Sequence, residues 1–278
     1  MPDDSNLTKS QRRDAARAEA LKLRQEQERR EKRNRFITIG VLVVLVVAVV
    51  LAVVFINQAN KPKSLGDVKA PSTAESVKDG GGIPVDKDGV AGKTNAGAVT
   101  LDLYFDYMCP NCATFEQVNK DDLDSLREDG TITFVMHPVA ILNRLSQGTN
   151  YSTRSASAFA TVADQEPDKV IQFHEALYAN HPEENSTGLT DDQLKDYAVQ
   201  AGVSQKVADQ FSKHTFADWV DAWTARVGDD NDLKNPNENP PSFGTPTIVI
   251  NGKRWDGNWS QAGALKSAIE DAKSGSTN

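Results

Sequence analysis

Val99-Thr-Leu-Asp-Leu-Tyr-Phe-Asp106-Tyr-Met-Cys109-Pro-Asn-Cys112 is the stretch around which the rest of the chain is organised. Leu101, Leu103 and Phe105 alternate with Asp102, Tyr104 and Asp106, a period of two that predicts a strand. The strand runs into Cys109-Pro110-Asn111-Cys112, which holds the only two cysteines among 278 residues, and a helical pattern follows. A C-x-x-C at a strand-to-helix turn is a redox arrangement. A cysteine at a helix N-terminus faces unpaired backbone N–H groups and the positive end of the macrodipole, both of which favour thiolate over thiol. Cys112, one turn further in, is close enough to close a short ring, so the pair can cycle between dithiol and disulfide. Half a zinc site is a second reading, but a structural zinc takes four ligands, and His137, His174, His181 and His214 form no closely spaced pair. A purely structural bridge is a third, but so short a loop removes little unfolded-state entropy.

Working outward, Phe115, Val118 and Leu126 predict a helix after the motif, with a break near Lys120-Asp121-Asp122. Thr131 to Met136 predicts the next strand and completes a β-α-β unit, with the cysteines at the strand end where open α/β sheets place their sites. From Tyr151 to Gly228 the pattern is helical. Ala156, Phe159, Ala160 and Ala163 mark one helix, and Val170, Phe173, His174, Leu177 and Tyr178 mark another after Pro167. A third runs from Thr190, with Gln193 completing a capping box, to Gly202. The last starts near Ser204 and carries Phe216, Trp219, Val220, Trp223 and Val227 on one face before Gly228. His174 on its apolar stripe reads as a core histidine, and the Trp stripe as core. Asp229 to Gly244 is a long polar loop with Pro236, Pro240 and Pro241, either a functional lip or a locally disordered segment. Thr245-Pro246 then leads into a strand at Thr247 to Ile250, Asn251-Gly252 signals a hairpin, and Leu265 and Ile269 suggest a closing helix. Upstream, Ile83-Pro84-Val85 fits a short edge strand.

The N-terminal part has another character. Residues 1–35 carry eleven Lys/Arg against seven Asp/Glu, a net of +4 within a chain whose formal charge is −8. Ser10 to Arg35 is rich in good helix formers, and Glu19, Glu26, Glu28 and Glu31 between its basic clusters argue against nucleic acid as a partner. Phe36 to Ile56 is apolar and uncharged, roughly 30 Å long as a helix, enough for a bilayer core. Its length and the poor cleavage site at Asn57-Gln58-Ala59 read as an uncleaved signal anchor. The Lys/Arg flank puts the N-terminus in the cytoplasm and the rest on the oxidising outer side of the cell membrane. Residues 57–82 have the Pro/Gly/Ser/Lys composition of a flexible tether. The expected organisation is therefore 1–35 cytoplasmic helical segment, 36–56 transmembrane anchor, 57–82 linker and 83–273 folded domain.

Taken together, Tyr-Phe-Asp-Tyr-Met-Cys-Pro-Asn-Cys at a strand end, about ninety residues of helices, and Gly244-Thr-Pro-Thr-Ile-Val-Ile-Asn-Gly252 resemble the DsbA-type thiol-disulfide oxidoreductases, in their membrane-anchored bacterial form. The resemblance covers about 83 to 273. It implies an α/β thioredoxin-like fold with an inserted helical domain at about 145–235, preceded by a single transmembrane helix. It implies Cys109 as the exposed nucleophile, Cys112 as its buried partner, a cis Pro246, and Thr245 offering backbone groups to a substrate strand. Pro110 and Asn111 would tune the pair. No metal and no cofactor beyond the redox-active disulfide is implied. The expected partners are unfolded exported proteins with free thiols, a membrane quinone-linked thiol oxidase of DsbB or VKOR type, and membrane lipid. Two departures stand out: Asn111 occupies a position where oxidising members often carry His, and Leu103 occupies that of a buried acid. Asp106 is the nearest carboxylate, either a proton carrier or a solvated strand-end residue. A reductase of the same fold, serving cytochrome maturation for instance, and a non-catalytic peptide-binding or chaperone-like module are the alternatives.

Overall fold

The computed structural model describes residues 9–59, 63–75 and 81–275. The chain divides into two units, 1–61 and 62–278.

The described residues of the first unit form one helix, α1 (Lys9–Ala59), of 51 residues. The basic and the apolar segments expected separately form a single rod, because no Gly-Pro punctuation or cap stands between Arg35 and Phe36. Phe36, Val44 and Phe55 are 74%, 67% and 73% exposed. A helix that is apolar on all sides needs an apolar surround. This is the one helix among the described residues long and apolar enough to cross a membrane.

In the second unit a five-stranded sheet has the order β1-β3-β2-β4-β5. Its strands are β1 (Ile83–Val85), β2 (Val99–Phe105), β3 (Ile132–Pro138), β4 (Thr247–Ile250) and β5 (Lys253–Arg254). β2 and β3 run parallel, Leu103 opposite Met136, whereas β1 on β3 and β4 on β2 are antiparallel. The parallel pair requires a crossover, and α2 (Pro110–Glu128) supplies it. Pro110 sits in the first turn, where its missing N–H costs nothing. The predicted break at Lys120-Asp121-Asp122 does not occur. Lys120 pairs with Asp124 at 2.7 Å and with Glu175 at 3.2 Å, and Asp122 pairs with Lys266 at 3.1 Å, so these charges line the outer side of a continuous helix.

The helical insertion contains α3 (Tyr151–Gln165), α4 (Val170–Ala179), α5 (Asp191–Gln200), α6 (Gln205–Ala208) and α7 (Ala217–Gly228). Thr190 and Gln193 make both bonds of the capping box. The single helix expected from Ser204 to Gly228 is instead interrupted. Ser204 caps only α6; Phe211 turns inward to stack on Phe173 at 5.5 Å, and His214 adopts a left-handed conformation before α7 begins. The 229–244 segment is held as a lip rather than left free. Asn235 and Ser242 bridge across it, and Arg254 bonds the Leu233 carbonyl at 2.7 Å. Asn251 and Gly252 both have positive φ, as the two-residue hairpin between β4 and β5 demands. α8 (Ala264–Ser274) closes the chain.

Residues 63–75 fall within the segment read as a flexible tether, yet they lie along the domain. Leu65 and Val68 pack on the core, the Ser72 N–H donates to Asp164 at 2.7 Å, and Lys63 pairs with Asp218. The polar composition concealed these few apolar anchors.

The sheet has two differently covered faces. Leu101, Leu103 and Phe105 join Ile132, Phe134, Met136, Ile248 and Ile250 in the main core with α2, α3 and α4. Tyr104 and Val249, on the other face, pack with Trp223, Val227 and Leu233.

Candidate active site

β2 ends at Phe105, and Asp106 to Met108 form the turn that delivers Cys109 to the N-cap of α2. One Asp106 carboxylate oxygen accepts the Met108 N–H at 2.9 Å and the other the Leu142 N–H at 3.0 Å. The Asp106 carbonyl accepts the Cys109 N–H at 3.0 Å and the Tyr178 hydroxyl at 3.3 Å. Asp106 is fully buried, which removes the reading of a solvated strand-end carboxylate. Burial pushes its carboxyl up to about 6, against the opposing pull of the Met108 and Leu142 N–H bonds.

Both cysteines are free thiols here. The Cys109 carbonyl accepts the N–H groups of Cys112 and Ala113, which starts the helix. The Cys109 Sγ donates to the Thr245 carbonyl at 3.3 Å, 136 residues away in sequence. The peptide bond between Thr245 and Pro246 is cis, at the entry to β4. The Thr245 hydroxyl is buried with no partner of its own, so it is free to turn toward a sulfur that becomes charged.

The two thiols are driven apart. A hydrogen bond from the Cys112 thiol is the largest influence bringing Cys109 down to about 7; Thr245 adds to it, while burial and the Asp106 charge oppose. Cys112 is pushed well above the usual thiol range, first by burial and then by the hydrogen bond it gives to Cys109. The first proton to leave the pair therefore leaves Cys109.

The structure brings Cys109, Cys112, Asp106, Thr245 and Pro246 to one end of the sheet. Pro110 and Asn111 are exposed, and Asn111 makes no hydrogen bond to Cys109 among the described residues, so the stabilisation sought from Asn111 comes from Cys112 and Thr245 instead. The resemblance implies an exposed Cys109, whereas the residue is only 4% exposed in this dithiol form. The Leu103 side chain is buried in the main core.

Sequence reasoning missed the aromatic surround. Tyr107 donates or accepts at His174 Nδ1 (3.0 Å), and His174 Nε2 meets Glu116 at 2.9 Å, so both ring nitrogens of the core histidine are used. Tyr107 and Tyr178 lie with ring centroids 5.1 Å apart beneath the motif. His181, just beyond α4, lies against the backbone of Met108 and Cys109. Nothing local ties His174, Tyr178 and His181 to the motif, because they meet it only through the packing of α4 on α2. No group of three His, Cys, Asp or Glu side chains that could hold a metal ion occurs among the described residues.

The family model described as Thioredoxin matches residues 85–271. The oxidised DsbA of Mycobacterium tuberculosis is 26% identical in its crystal structure, with a TM-score of 0.57 over 69% of this chain and 92% of that one. Disulfide bond formation protein D of Bacillus subtilis is 29% identical over 171 residues, 59% of this chain and 68% of that protein. Serine/threonine-protein kinase PknE of M. tuberculosis is 30% identical over 119 residues, 41% of this chain. The chain spans about a fifth of the kinase's length.

Proposed function

The chain belongs to the thioredoxin family, and on that premise we propose that it is a membrane-tethered, extracytoplasmic thiol-disulfide oxidoreductase that gives its Cys109–Cys112 disulfide to exported proteins. The observation that carries this reading is the placement of Cys109 at the N-cap of α2 with its Sγ on the Thr245 carbonyl and Cys112 buried one turn further in, an arrangement that lowers the Cys109 thiol to about 7 and raises that of Cys112. A substrate thiolate attacks the Cys109 sulfur, the S–S bond breaks, and Cys112 leaves with the electron pair and takes up a proton. A second substrate thiolate then attacks the substrate sulfur of the mixed disulfide and expels Cys109 as its thiolate. The substrate is oxidised by two electrons and the protein is left as the dithiol. A low pKa makes Cys109 the better leaving group in that second step.

A membrane quinone-linked oxidase of DsbB or VKOR type fits the need to take those two electrons. Thr245, with its carbonyl beside Cys109 and its cis Pro246, is suited to offer backbone groups to an extended client, and Pro110 with Asn111 forms the exposed edge the client meets. The tether reading rests on α1. Its uncharged span follows a segment of net positive charge, which orients the N-terminus to the cytoplasm and the cysteines outward.

The reductase alternative has one observation in its favour. A Cys109 value of about 7 is near that of thioredoxin and above that of the strongest oxidants of this fold. The deciding experiment is trapping of thiols in intact cells. A Cys109–Cys112 pair found mostly as disulfide supports the oxidant; a pair found mostly as dithiol while a dedicated reductant is present moves the reading to the reductase. A client-binding phenotype that survives loss of both cysteines would point to the chaperone-like module.

A further inference from the structure

His181 stands two residues beyond the end of α4, with its N–H bonded to the Tyr178 carbonyl at 3.2 Å. Its ring stacks parallel to that of Tyr178, centroids 6.3 Å apart and planes 8° from coplanar. Tyr178 in turn donates its hydroxyl to the Asp106 carbonyl. Tyrosine and histidine thus form one clamp over the turn that carries Cys109, with the imidazole against the Met108 and Cys109 backbone. Within that clamp Nε2 is buried and has no hydrogen-bond partner. Buried polar atoms of this kind are rare in native folds, and an orphan on a ring that lies against the backbone of the reactive turn calls for a reason.

We propose that His181 is a positioning residue for the thiol chemistry: by taking up a proton it places positive charge beside the Cys109 thiolate and carries that thiolate's reactivity into the acid range. This rests on the thiol-disulfide reading above. The groups about the imidazole are Glu184 on its own loop, Tyr178 of α4 and the Met108 and Cys109 backbone of the motif turn; the titratable groups of that turn and of the helix it starts are Asp106, Cys109 and Cys112. Burial holds His181 below its ordinary range, with the motif backbone and Glu184 pulling the other way. At neutral pH with both thiols protonated it is therefore mostly uncharged. Once Cys109 ionises, the two titrations couple. An opposite charge within a few ångström favours the charged form of each partner, and a coupling of about one pKa unit is about tenfold in thiolate fraction.

The test uses the full chain in detergent, reduced, with alkylation of Cys109 by iodoacetamide followed by peptide mapping across pH. His181→Gln is expected to be alkylated about tenfold more slowly than wild type near pH 5 and at the same rate above about pH 8. His181→Arg, with a fixed charge, keeps the acid-range rate. Superimposable profiles for wild type and His181→Gln, or a slowdown by one factor at every pH, would overturn the proposal, since a merely structural contact produces one or the other. Should His181→Gln not fold, the His181 ring proton is followed by NMR in wild type and Cys109→Ser. Because Cys109 is still largely protonated where His181 titrates, the reciprocal coupling requires the imidazolium to persist to higher pH in wild type than in Cys109→Ser, as a tail reaching toward pH 7, and superimposable curves overturn the inference. Failure of wild type to form the Cys109–Cys112 disulfide with oxidised glutathione would sink the thiol-disulfide reading itself, which neither profile measures.

Discussion

The two faces of the sheet each hold a buried histidine against a carboxylate, and only one face has a sulfur to act on. On the motif face His174 meets Glu116 at 2.9 Å and passes its other nitrogen to Tyr107, two residues before Cys109. On the far face His137 meets Asp102 at the same 2.9 Å but lies stacked between Tyr104, at 4.0 Å, and Trp223, at 5.6 Å, with Nδ1 unpartnered. A histidine-carboxylate pair buried in a core is therefore no mark of a site by itself. What separates the faces is that one pair braces the turn of a helix-capping cysteine, whereas the other braces the approach of Gly81 and Gly82 to β1.

The sharpest way to break this comparison is to remove one member from each face. Cys109→Ser is expected to abolish disulfide exchange, and Cys112→Ser to accumulate mixed disulfides with clients, because no internal thiol remains to release them. His137→Ala should lower stability while leaving both the Cys109 pKa and the trapping pattern of wild type. Gel analysis of trapped adducts in the three variants decides it. Trapping by Cys109→Ser, or a Cys109 pKa moved by His137→Ala, would erase the division between the faces.

A smaller effect comes from Asp106, whose carboxyl stands at about 6 in the folded chain against about 3.9 unfolded. The folded state binds the proton more tightly, so the contribution to stability is fully present below the unfolded value and is lost as pH rises through 6. That loss amounts to about 3 kcal/mol between roughly pH 4 and pH 7. Urea unfolding of wild type and Asp106→Asn over this range should show the slope in the first and its absence in the second. Equal slopes would mean that the carboxylate is better solvated than its burial indicates.

On the far face the corresponding probe is Gly82→Ala. A Cβ there would run into His137 Cε1 and a Val135 methyl. Overpacking of this order costs about 1–3 kcal/mol. The melting temperature should fall with no change in redox potential, and a shifted potential would connect two faces that are argued to be independent.

The same division explains what could be read from the chain alone. β2, the motif and α2 were legible because period, cap and cysteine spacing are local signals, and the Asn251-Gly252 hairpin and the Thr190 capping box are equally local. The break expected at Lys120-Asp121-Asp122 failed because the partners that hold those charges in a helix, Glu175 and Lys266, come from elsewhere in the chain. The helix drawn from Ser204 to Gly228 failed because Phe211 is pulled to Phe173 by tertiary packing. Cys109 and Cys112 could be found by spacing, and the resemblance implied Thr245 beside them, but the residues of α4 that brace the turn could not be found. Tyr178 and His181 reach it from sequence positions tens of residues away, and only the docking of α4 brings them there.

The smallest expected effect belongs to the motif residue that departs from the pattern of oxidising members. Asn111 is exposed and leaves Cys109 alone, so the middle of C-P-x-C contributes mainly an edge and a helix start. Placing an imidazole there with Asn111→His adds a charge that water screens and that faces the unfavourable positive end of α2. Against these stands its attraction to the thiolate. A net lowering of the Cys109 pKa by about half a unit would move the couple toward oxidant by at most about 15 mV, the limit reached where Cys109 is fully ionised and the imidazole charged, given 29.6 mV per tenfold for two electrons. Since the effect needs both the imidazolium and the thiolate, it should be largest in a glutathione titration near pH 7, fade toward pH 6 as Cys109 takes up its proton, and vanish near pH 8, above the ordinary histidine value. A shift that persists at pH 8 would mean that the ring acts by a neutral hydrogen bond. A shift of about 60 mV or more, hundredfold in the equilibrium, would mean that position 111 is less open to water in the working protein than in the dithiol form described here.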